Sequence, residues 1–374
     1  GWTEATVGRG TFVRGGRAEP DLPSVPAARP DADRVMADIQ RFGRGDGRLN
    51  LAHAEPDPSL MPADAFWDCL AEMRHDAVAH LQYVSPRGDP TLRAAVTRQV
   101  AGRGLAVEPR EVLVTSGVTQ GLSLAAQALA RPGDRVVVEQ PTYLGLLHIL
   151  EAQGLKPVGV PVDDDGPRLD LLERMFLAHR PRFFYTIPSF HNPTGRCMPA
   201  AAREELVALA EKHGVFIVED DIYHALAYDD PAPAPLKTLD RRGLVIYLDG
   251  LSKALLPGVR AGYVIASRPL LERMVSLRRA ADLCGPTMVQ RALASFLGRG
   301  GLQAHLDRAV SVYRRRRDAL LDALDRHMPS GVRWSTPTGG FSCWLDLPGA
   351  IEIGELYRAA LARGLVFAPG DVFM

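Results

Sequence analysis

The sequence has 374 residues, more than one hydrophobic core usually holds, so we expect two packed domains. Its 44 Lys and Arg balance 44 Asp and Glu, and this neutral charge excludes a chain that binds nucleic acid along its whole surface. Hydrophobic residues make up 46% of the chain, yet no apolar run is long enough to span a bilayer and no charged-then-apolar leader is recognisable. We therefore expect a globular protein that is neither exported nor bound to a membrane.

The four cysteines lie far apart and form neither a CxxC pair nor a Cys/His cluster. This spacing fits neither a zinc site nor a disulfide framework, and it predicts a cytoplasmic protein without a metal. The cysteines are Cys69, Cys197, Cys284 and Cys343.

The first 34 residues differ in composition from the rest of the chain. Residues 1–13, GWTEATVGRGTFV, predict two short strands around a Gly-Arg-Gly turn, and such a ribbon is only marginally stable alone. Residues 14–34 are rich in Pro, Arg and Ala, which is typical of a linker. We therefore interpret the ribbon as the end of a larger unit.

From about residue 90, apolar strand-like runs alternate with amphipathic helices. The runs RVVVEQ, PVGVPV, RFFYTI, VFIVED and LVIYLDG are short and nearly all apolar, which is typical of strands buried on both faces of a parallel sheet. After about residue 283 the pattern becomes helical, followed by the strand-like VRWSTPTGGFSCWLDLP and a helix around 353–363. The pattern predicts an α/β domain followed by a smaller α+β domain, with ligands at the carboxyl ends of the strands.

Amine chemistry has few candidates, because the basic residues are mostly arginine. Arginine cannot form a Schiff base, whereas lysine can. In LDGLSKALLPGVRAG, Lys253 directly follows a predicted buried strand, and Arg260 could bind a phosphate. A surface Ser-Lys pair beside a structural arginine is the alternative. The other lysines are Lys156, Lys212 and Lys237.

Three further strand ends carry polar side chains. In VFIVEDDIYHAL, Asp220 could keep a pyridine nitrogen protonated and Tyr223 could donate to a ring oxygen, although helix capping or metal binding are open alternatives. In IPSFHNPTG, a tight loop holds Asn192 where its amide could meet a ligand. In VTSGVTQG, a helix begins near Thr119, and free N–H groups there could bind an anion.

In this order, the four segments resemble fold type I pyridoxal-phosphate (PLP) enzymes, specifically class I and II aminotransferases, from about residue 49 to residue 374. The resemblance implies a mostly parallel sheet with helices on both faces and a smaller α+β domain. It assigns 81–283 to a large PLP-binding domain, 284–374 to a small C-terminal domain, and 35–80 to an N-terminal segment of the small domain. The implied reaction moves an α-amino group between an amino acid and a keto acid.

The resemblance also implies roles for individual residues. Lys253 forms the Schiff base with PLP and moves protons, Asp220 pairs with the pyridinium nitrogen, and Tyr143 stacks on the ring. Asn192 and Tyr223 hold the ring's phenolic oxygen. The phosphate is bound by Ser252, Arg260, Gly117, Val118 and Thr119. Tyr83 reaches the phosphate of the neighbouring subunit, which implies a homodimer with shared active sites.

Several positions depart from the family pattern. Gly250 and Val118 stand where relatives usually carry phosphate-binding hydroxyls. His53 and Ala54 replace a Ser-Gly pair close to the expected substrate, which Asn192 would also contact, so a different PLP reaction such as elimination or condensation is an alternative. The arginine that binds the substrate's α-carboxylate is expected beyond FAPGDVFM, so we expect the small domain to be truncated at Met374.

The opening VGRGTFV resembles the wing of the winged helix-turn-helix in GntR-type regulators. Followed by a linker and an aminotransferase-like domain, it resembles the MocR subfamily, in which the PLP domain senses a ligand and controls DNA binding with little turnover. HNPTG is the enzyme-like form of its motif, whereas the missing recognition helix implies no specific DNA binding by this chain. A helix-turn-helix encoded upstream would favour the regulator over the aminotransferase.

Overall fold

The computed structural model describes strands β1 (Thr3–Thr6) and β2 (Gly10–Val13) and residues 47–349 and 351–374. β1 and β2 pair in antiparallel register, which confirms the predicted two-stranded ribbon. The predicted linker at 14–34 and the part of the 35–80 segment before residue 47 lie outside the described residues.

The centre of the molecule is an eight-stranded sheet with the order β4-β11-β10-β9-β8-β5-β6-β7. Neighbouring strands from β10 through β9, β8 and β5 to β6 run parallel, whereas β11 is antiparallel to both β10 and β4, and β7 is antiparallel to β6. The strands of the described chain that precede or form this sheet are β3 (Leu49–Asn50), β4 (Val112–Thr115), β5 (Arg135–Gln140), β6 (Lys156–Asp163), β7 (Gly166–Pro167), β8 (Phe183–Thr186), β9 (Phe216–Asp220), β10 (Val245–Gly250) and β11 (Gly262–Ile265).

Twelve α-helices occur within the described ranges. They are α1 (Ala63–Glu72), α2 (Ala77–His80), α3 (Pro90–Ala101), α4 (Val118–Leu129), α5 (Leu144–Ala152), α6 (Leu169–His179), α7 (Ala200–His213), α8 (Leu251–Ala254), α9 (Arg268–Ala281), α10 (Thr287–Gly298), α11 (Gly301–His327) and α12 (Ile353–Ala362). No helix in the described part of the chain is both long and apolar enough to cross a bilayer.

Helices cover both faces of the sheet, as the alternating pattern predicts. α4, α5 and α9 form one apolar cluster with side chains from one face, including Leu248, while α6 and α7 pack against side chains of the other face. α1, α3 and α10 join that second face nearer β4, around Tyr247 and Tyr263. Every residue of β4, β8 and β10 is buried, because apolar and β-branched side chains fill both sides of these strands.

Two strand predictions need correction. The run PVGVPV was expected to be buried on both faces, but β6 lies near the sheet edge and most of its residues are exposed or half-buried, because only the two-residue β7 follows it. The segment VRWSTPTGGFSCWLDLP forms only the short pair β12 (Arg333–Trp334) and β13 (Leu345–Asp346). Between them, Gly339 and Gly340 lie so close to Phe190 that a Cβ on either glycine would come within 3.0 Å of it.

The beginning and the end of the described main body are joined by a strand pair. β3 pairs in parallel with β14 (Leu365–Val366), next to α12. The four cysteines, all within the described ranges, form no disulfide bond.

Candidate active site

The predicted site residues follow strands of the central sheet at one edge. Asp220 is the last residue of β9, Lys253 follows β10, Asn192 follows β8, and Gly117 follows β4. β4 points in the same direction as β10, because both are antiparallel to β11. The carboxyl ends of these strands therefore meet at one edge, where α/β sheets bind ligands.

Lys253 lies in the short helix α8, directly after β10, and is half-buried. Its Nζ donates a hydrogen bond of 2.6 Å to the carbonyl oxygen of Ala54. Burial lowers the pKa of Lys253, and Arg260 adds to this effect, while the carboxylates of Glu55 and Asp220 oppose it. The structure thus holds a partly desolvated amine against a neutral acceptor, which favours nucleophilic amine chemistry.

The remaining lysines have different surroundings. Lys212 pairs with Glu173 at 2.6 Å, and Lys237 pairs with Asp240 at 2.7 Å. Lys156 is exposed at the start of β6. None of these settings provides a desolvated amine at the carboxyl end of a parallel strand.

Asp220 is 2% exposed and accepts hydrogen bonds from the hydroxyl of Tyr185 at 2.9 Å and from the N–H of Ile222 at 3.3 Å. Burial raises its pKa to about 7, against the lowering effect of these hydrogen bonds, and the charges of Asp249 and Asp221 contribute to the increase. Sequence reasoning missed Tyr185. The signal was a phenol in the otherwise apolar run RFFYTI, because a buried tyrosine hydroxyl usually needs a partner.

Asn192 and Tyr223 are brought together, as the resemblance implies. The Asn192 amide donates to the hydroxyl of Tyr223 at 3.2 Å, and Tyr223 is 3% exposed. Burial raises the pKa of Tyr223, and Tyr143 and Asp220 raise it further, so its phenol keeps its proton at neutral pH. Phe341 packs edge-on against the Tyr223 ring, with centroids 6.3 Å apart.

The predicted anion site is built from a helix start and an arginine. Gly117 caps the twelve-residue helix α4 with φ 81°, and a Cβ at this position would lie 2.7 Å from Nη2 of Arg260. The guanidinium donates to Oγ of Ser252 at 3.4 Å and to the carbonyl oxygen of Ser116 at 3.3 Å. The N–H groups at the start of α4 and this cation are therefore placed to bind one anion together.

Tyr143 and Thr119 also belong to this cluster. The Tyr143 hydroxyl shares a hydrogen bond with the Thr119 side chain, and burial raises the pKa of Tyr143, with a further increase from Asp220. The Tyr143 ring lies over Gly145, where a Cβ would be 2.4 Å from ring atom Cζ. The tyrosine predicted to stack on the cofactor thus contacts Thr119 at the anion site and lies close enough to Asp220 to feel its charge.

The two positions that lack the family's hydroxyls pack against each other. A Cβ at Gly250 would lie 3.2 Å from Cγ2 of Val118 and 3.1 Å from the carbonyl oxygen of Ala261. Val118 therefore occupies space next to the side chain that relatives carry at position 250. The residues at positions 118 and 250 therefore constrain each other's size.

The loop with His53 and Ala54 reaches the lysine through the Ala54 carbonyl. His53 Nδ1 lies 3.7 Å from Oε1 of Glu55. At its other end, the N–H of Asp57 donates to the hydroxyl of Tyr313 on α11 at 3.0 Å. Tyr83, by contrast, lies outside this cluster, because 84% of it is exposed.

The donor set fits PLP at each functional group of the cofactor. An amine with a lowered pKa suits its aldehyde, a buried carboxylate its ring nitrogen, an amide–phenol pair its ring oxygen, and a helix start with an arginine its phosphate. Within the described residues, no group of three or more His, Cys, Asp or Glu side chains could hold a metal ion. The fold and site together define a fold type I PLP-dependent protein.

Comparison with known proteins gives the family. The model of the family "Aminotransferase class I and II" matches residues 49–374, and the chain belongs to this family. It is 36% identical to 2-aminoadipate transaminase of Thermus thermophilus over 91% of this chain and 87% of that protein.

Two further relatives extend the comparison. The crystal structure of the α-aminoadipate aminotransferase LysN from Thermus thermophilus, complexed with N-(5'-phosphopyridoxyl)-L-leucine, superimposes with a TM-score of 0.84 at 34% identity, covering 91% of this chain and 86% of that one. The uncharacterized HTH-type transcriptional regulator YdfD of Bacillus subtilis is 30% identical over 100% of this chain and 79% of its own length. The chain thus resembles both PLP-binding aminotransferases and helix-turn-helix regulators.

Proposed function

We propose that this chain transfers the α-amino group of an amino acid to a keto acid acceptor, with Lys253 as the cofactor-binding amine. The observation that carries the proposal is the placement of Lys253. Its half-buried amine contacts a backbone carbonyl, and its charged surroundings include Asp220 and Arg260, the residues suited to the two ends of PLP.

PLP, when bound, supplies an electron-withdrawing ring that stabilises negative charge at the substrate's α-carbon. Asp220 would hold the protonated ring nitrogen. Because Asp220 is buried, its carboxylate is stabilised more by this positive partner than by water. Asn192 and Tyr223 would hold the ring oxygen through their amide and phenol, while Ser252, Arg260 and the start of α4 would hold the phosphate.

Lys253 Nζ is the atom that takes up and returns a proton at the substrate carbon. Its lowered pKa makes the neutral amine accessible at a lower pH than that of an exposed lysine, which a general base requires. The Ala54 carbonyl orients Nζ. The hydrogen-bonded pair of Tyr143 and Thr119 would cover the cofactor between Asp220 and the phosphate site.

We also propose that two copies of this chain form a homodimer with shared active sites. Four large apolar side chains in residues 67–83 are strongly exposed, which is typical of a surface covered in an assembly: Trp67 67%, Val78 71%, Leu81 69% and Tyr83 84%. We propose that the partner subunit's Tyr83 completes the phosphate site. Mixing inactive Lys253→Ala and Tyr83→Ala subunits should then restore activity to about one quarter of wild type, because random exchange leaves one intact site in half of the dimers. A mixture no more active than its components would contradict shared sites.

The reaction is tested by following the visible absorption of the PLP-loaded protein with a panel of amino acids and then keto acids. The panel includes 2-aminoadipate and aromatic amino acids, because relatives are named for them. Conversion by an amino acid and return with a keto acid would establish transamination. Release of a keto acid together with ammonia, with the band restored before any keto acid is added, would instead identify elimination.

We propose a regulator's effector domain as the second candidate function. The support is the alignment, because the match to YdfD includes the first residues, whereas the match to 2-aminoadipate transaminase covers 91% of the chain. In this role the domain binds PLP and an amino-acid signal, and DNA contact belongs to a winged-helix domain. A band that shifts with one amino acid and then stays, without a keto acid product, would favour this candidate.

The remaining proposals concern organisation and location. We propose the ribbon at 1–13 as a wing remnant, 14–34 as a linker, 81–283 as the large domain, and 35–80 with 284–374 as the small domain. Pairing of β3 with β14 supports the last grouping. Four unpaired cysteines support a cytoplasmic location.

A further inference from the structure

A connected set of buried polar side chains lies on the sheet face opposite Asp220. It touches each of the three loops that carry Asn192, Tyr223 and Lys253. One anchor residue lies within four positions of each: Ser189, Asp221 and Asp249.

Asp221 is the anchor for the Tyr223 turn. Its Oδ1 accepts from Ser189 Oγ at 2.5 Å, and its Oδ2 accepts from Arg103 at 3.0 Å and from the hydroxyl of Tyr247 at 3.2 Å. Asp221 is fully buried, so its charge is compensated by Arg103 rather than by water.

Asp249 is the anchor for the lysine turn. It is 5% exposed, its Oδ1 accepts from the N–H of Gly250 at 2.6 Å, and its Oδ2 accepts from the hydroxyl of Tyr263. The same Oδ2 lies 3.1 Å from Nε2 of His224, which directly follows Tyr223. The Asp249–His224 pair therefore joins the turn that carries Lys253 to the turn that carries Tyr223.

The carboxylates around this pair favour the protonated form of the histidine. His224 faces the carboxylates of Asp249 and Asp221, the guanidinium of Arg103, and through Asp249 the phenols of Tyr247 and Tyr263. Burial acts to lower the pKa of His224, but Asp249 and then Asp221 outweigh it, so the pKa is raised. The buried cation Arg203 also belongs to this set, because its Nη2 donates to Ser189 Oγ at 3.1 Å. The positive charge of His224 is therefore balanced locally by Asp249, its hydrogen-bond partner.

We propose that Asp249 and His224 are a positioning pair that fixes Lys253 relative to Tyr223 and, as opposite charges, adds no net charge beneath the cofactor. The pair acts through the two turns and touches neither substrate nor cofactor. Because Asp249 also contributes to the raised pKa of Asp220 across the sheet, an unbalanced charge in the pair reaches the cofactor site.

The inference rests on the proposed binding of PLP to Lys253, and it is tested without turnover. The measured quantity is the pH midpoint of the visible band of the PLP-loaded full chain in the absence of substrate. His224→Asn leaves Asp249 uncompensated, which stabilises positive charge nearby and should raise the midpoint by roughly half a pH unit or more. Asp249→Asn removes the negative charge and should lower the midpoint. The double variant should return close to wild type.

A matched control is the pair His213 and Glu173, whose atoms Nε2 and Oε1 lie 3.0 Å apart on helices α7 and α6. His213→Asn should not move the midpoint, which separates local electrostatics from a general loss of stability. Shifts of the same sign in both site variants, or no shift in His224→Asn, would overturn the inference. If Asp249→Asn does not fold, the sign of the His224→Asn shift still decides.

The two proposals fail separately. If His224→Asn and Asp249→Asn move the pH midpoint in opposite directions but the wild type transfers no amino group, only the aminotransferase proposal is contradicted. A wild type that transfers amino groups but shows no opposite shifts would contradict only the positioning pair.

Discussion

Asp220 and Asp221 are consecutive residues with opposite surroundings. Asp220 lies on the face covered by α4, α5 and α9, where Tyr185 is its one side-chain donor among the described residues, and its pKa is raised to about 7. Asp221 lies on the other face, where Ser189, Arg103 and Tyr247 all donate to it. Both are buried, so burial alone does not separate them.

The two carboxylates differ in how far donors and cations already compensate their burial. A buried carboxylate with a cation and several donors is a structural group, because its desolvation is already compensated. A buried carboxylate without a cation is costly to keep charged, and it gains most when a ligand brings a positive charge. One face of the sheet therefore carries the carboxylate that can bind a cationic ligand, and the other face carries the carboxylate that stabilises the fold. Single substitutions can test this division between the faces.

The largest expected effect is that of Asp220→Asn on activity. The amide keeps the shape and the hydrogen bond with Tyr185 but cannot balance a protonated ring nitrogen, so amino transfer should fall by about 1,000-fold. The unfolding free energy of the cofactor-free protein should change by less than about 1 kcal/mol, because a buried uncompensated charge is removed. Steady-state kinetics and thermal unfolding measure the two quantities. Near-normal activity would contradict the role of Asp220.

Asp221→Asn should give the opposite pattern. Removing this charge leaves Arg103 buried without its partner, which should cost about 3 kcal/mol of unfolding free energy. Denaturant unfolding of the cofactor-free protein measures this loss, and Asp230→Asn, at an exposed position, is the control. If Asp221→Asn were as stable as Asp220→Asn, the proposed division between the faces would be wrong.

A smaller effect is expected where Gly250 meets Val118. Gly250→Ser should destabilise the protein, because its Cβ would crowd Val118 and the Ala261 carbonyl. The double variant with Val118→Ser should have an unfolding free energy about 1 kcal/mol higher than the sum of the two single effects predicts. The double variant should also bind PLP more tightly, since it carries two added hydroxyls. Strict additivity in unfolding would show that the two positions are independent.

The smallest effect concerns Glu55→Gln. The neutral amine of Lys253 captures PLP, so the capture rate rises as pH passes through the pKa of Lys253. Glu55 raises this pKa, and its neutralisation should lower the midpoint by roughly half a pH unit, less at high salt. Stopped-flow absorbance of the cofactor-free protein gives the midpoint, with the exposed Glu205→Gln as control. An upward shift would contradict the sign of the Glu55 contribution.

The sheet and the four strand-end segments were predictable because their signals are local. Apolar runs such as VLVT and VIYLDG are typical of buried strands, and a polar residue directly after such a run lies at the carboxyl edge of the sheet. Lys253, Asp220 and Asn192 were located by this rule together with the order of the motifs.

The supporting contacts were not predictable, because they join residues distant in sequence. Tyr185 reaches Asp220 over 35 positions, and Arg103 reaches Asp221 over 118 positions. The edge position of β6 depends on strand order, which its own apolar residues do not encode. The packing of Gly250 against Val118 likewise depends on the approach of two separate turns.

The central claim is that Lys253 is the amine that binds the cofactor. Borohydride reduction of the PLP-loaded protein would attach the cofactor permanently to its lysine, and peptide mass mapping would identify the residue. The label is expected on the peptide that contains Lys253 and on no other. Labelling of Lys156, Lys212 or Lys237 instead, or no label after saturation with PLP, would contradict the account.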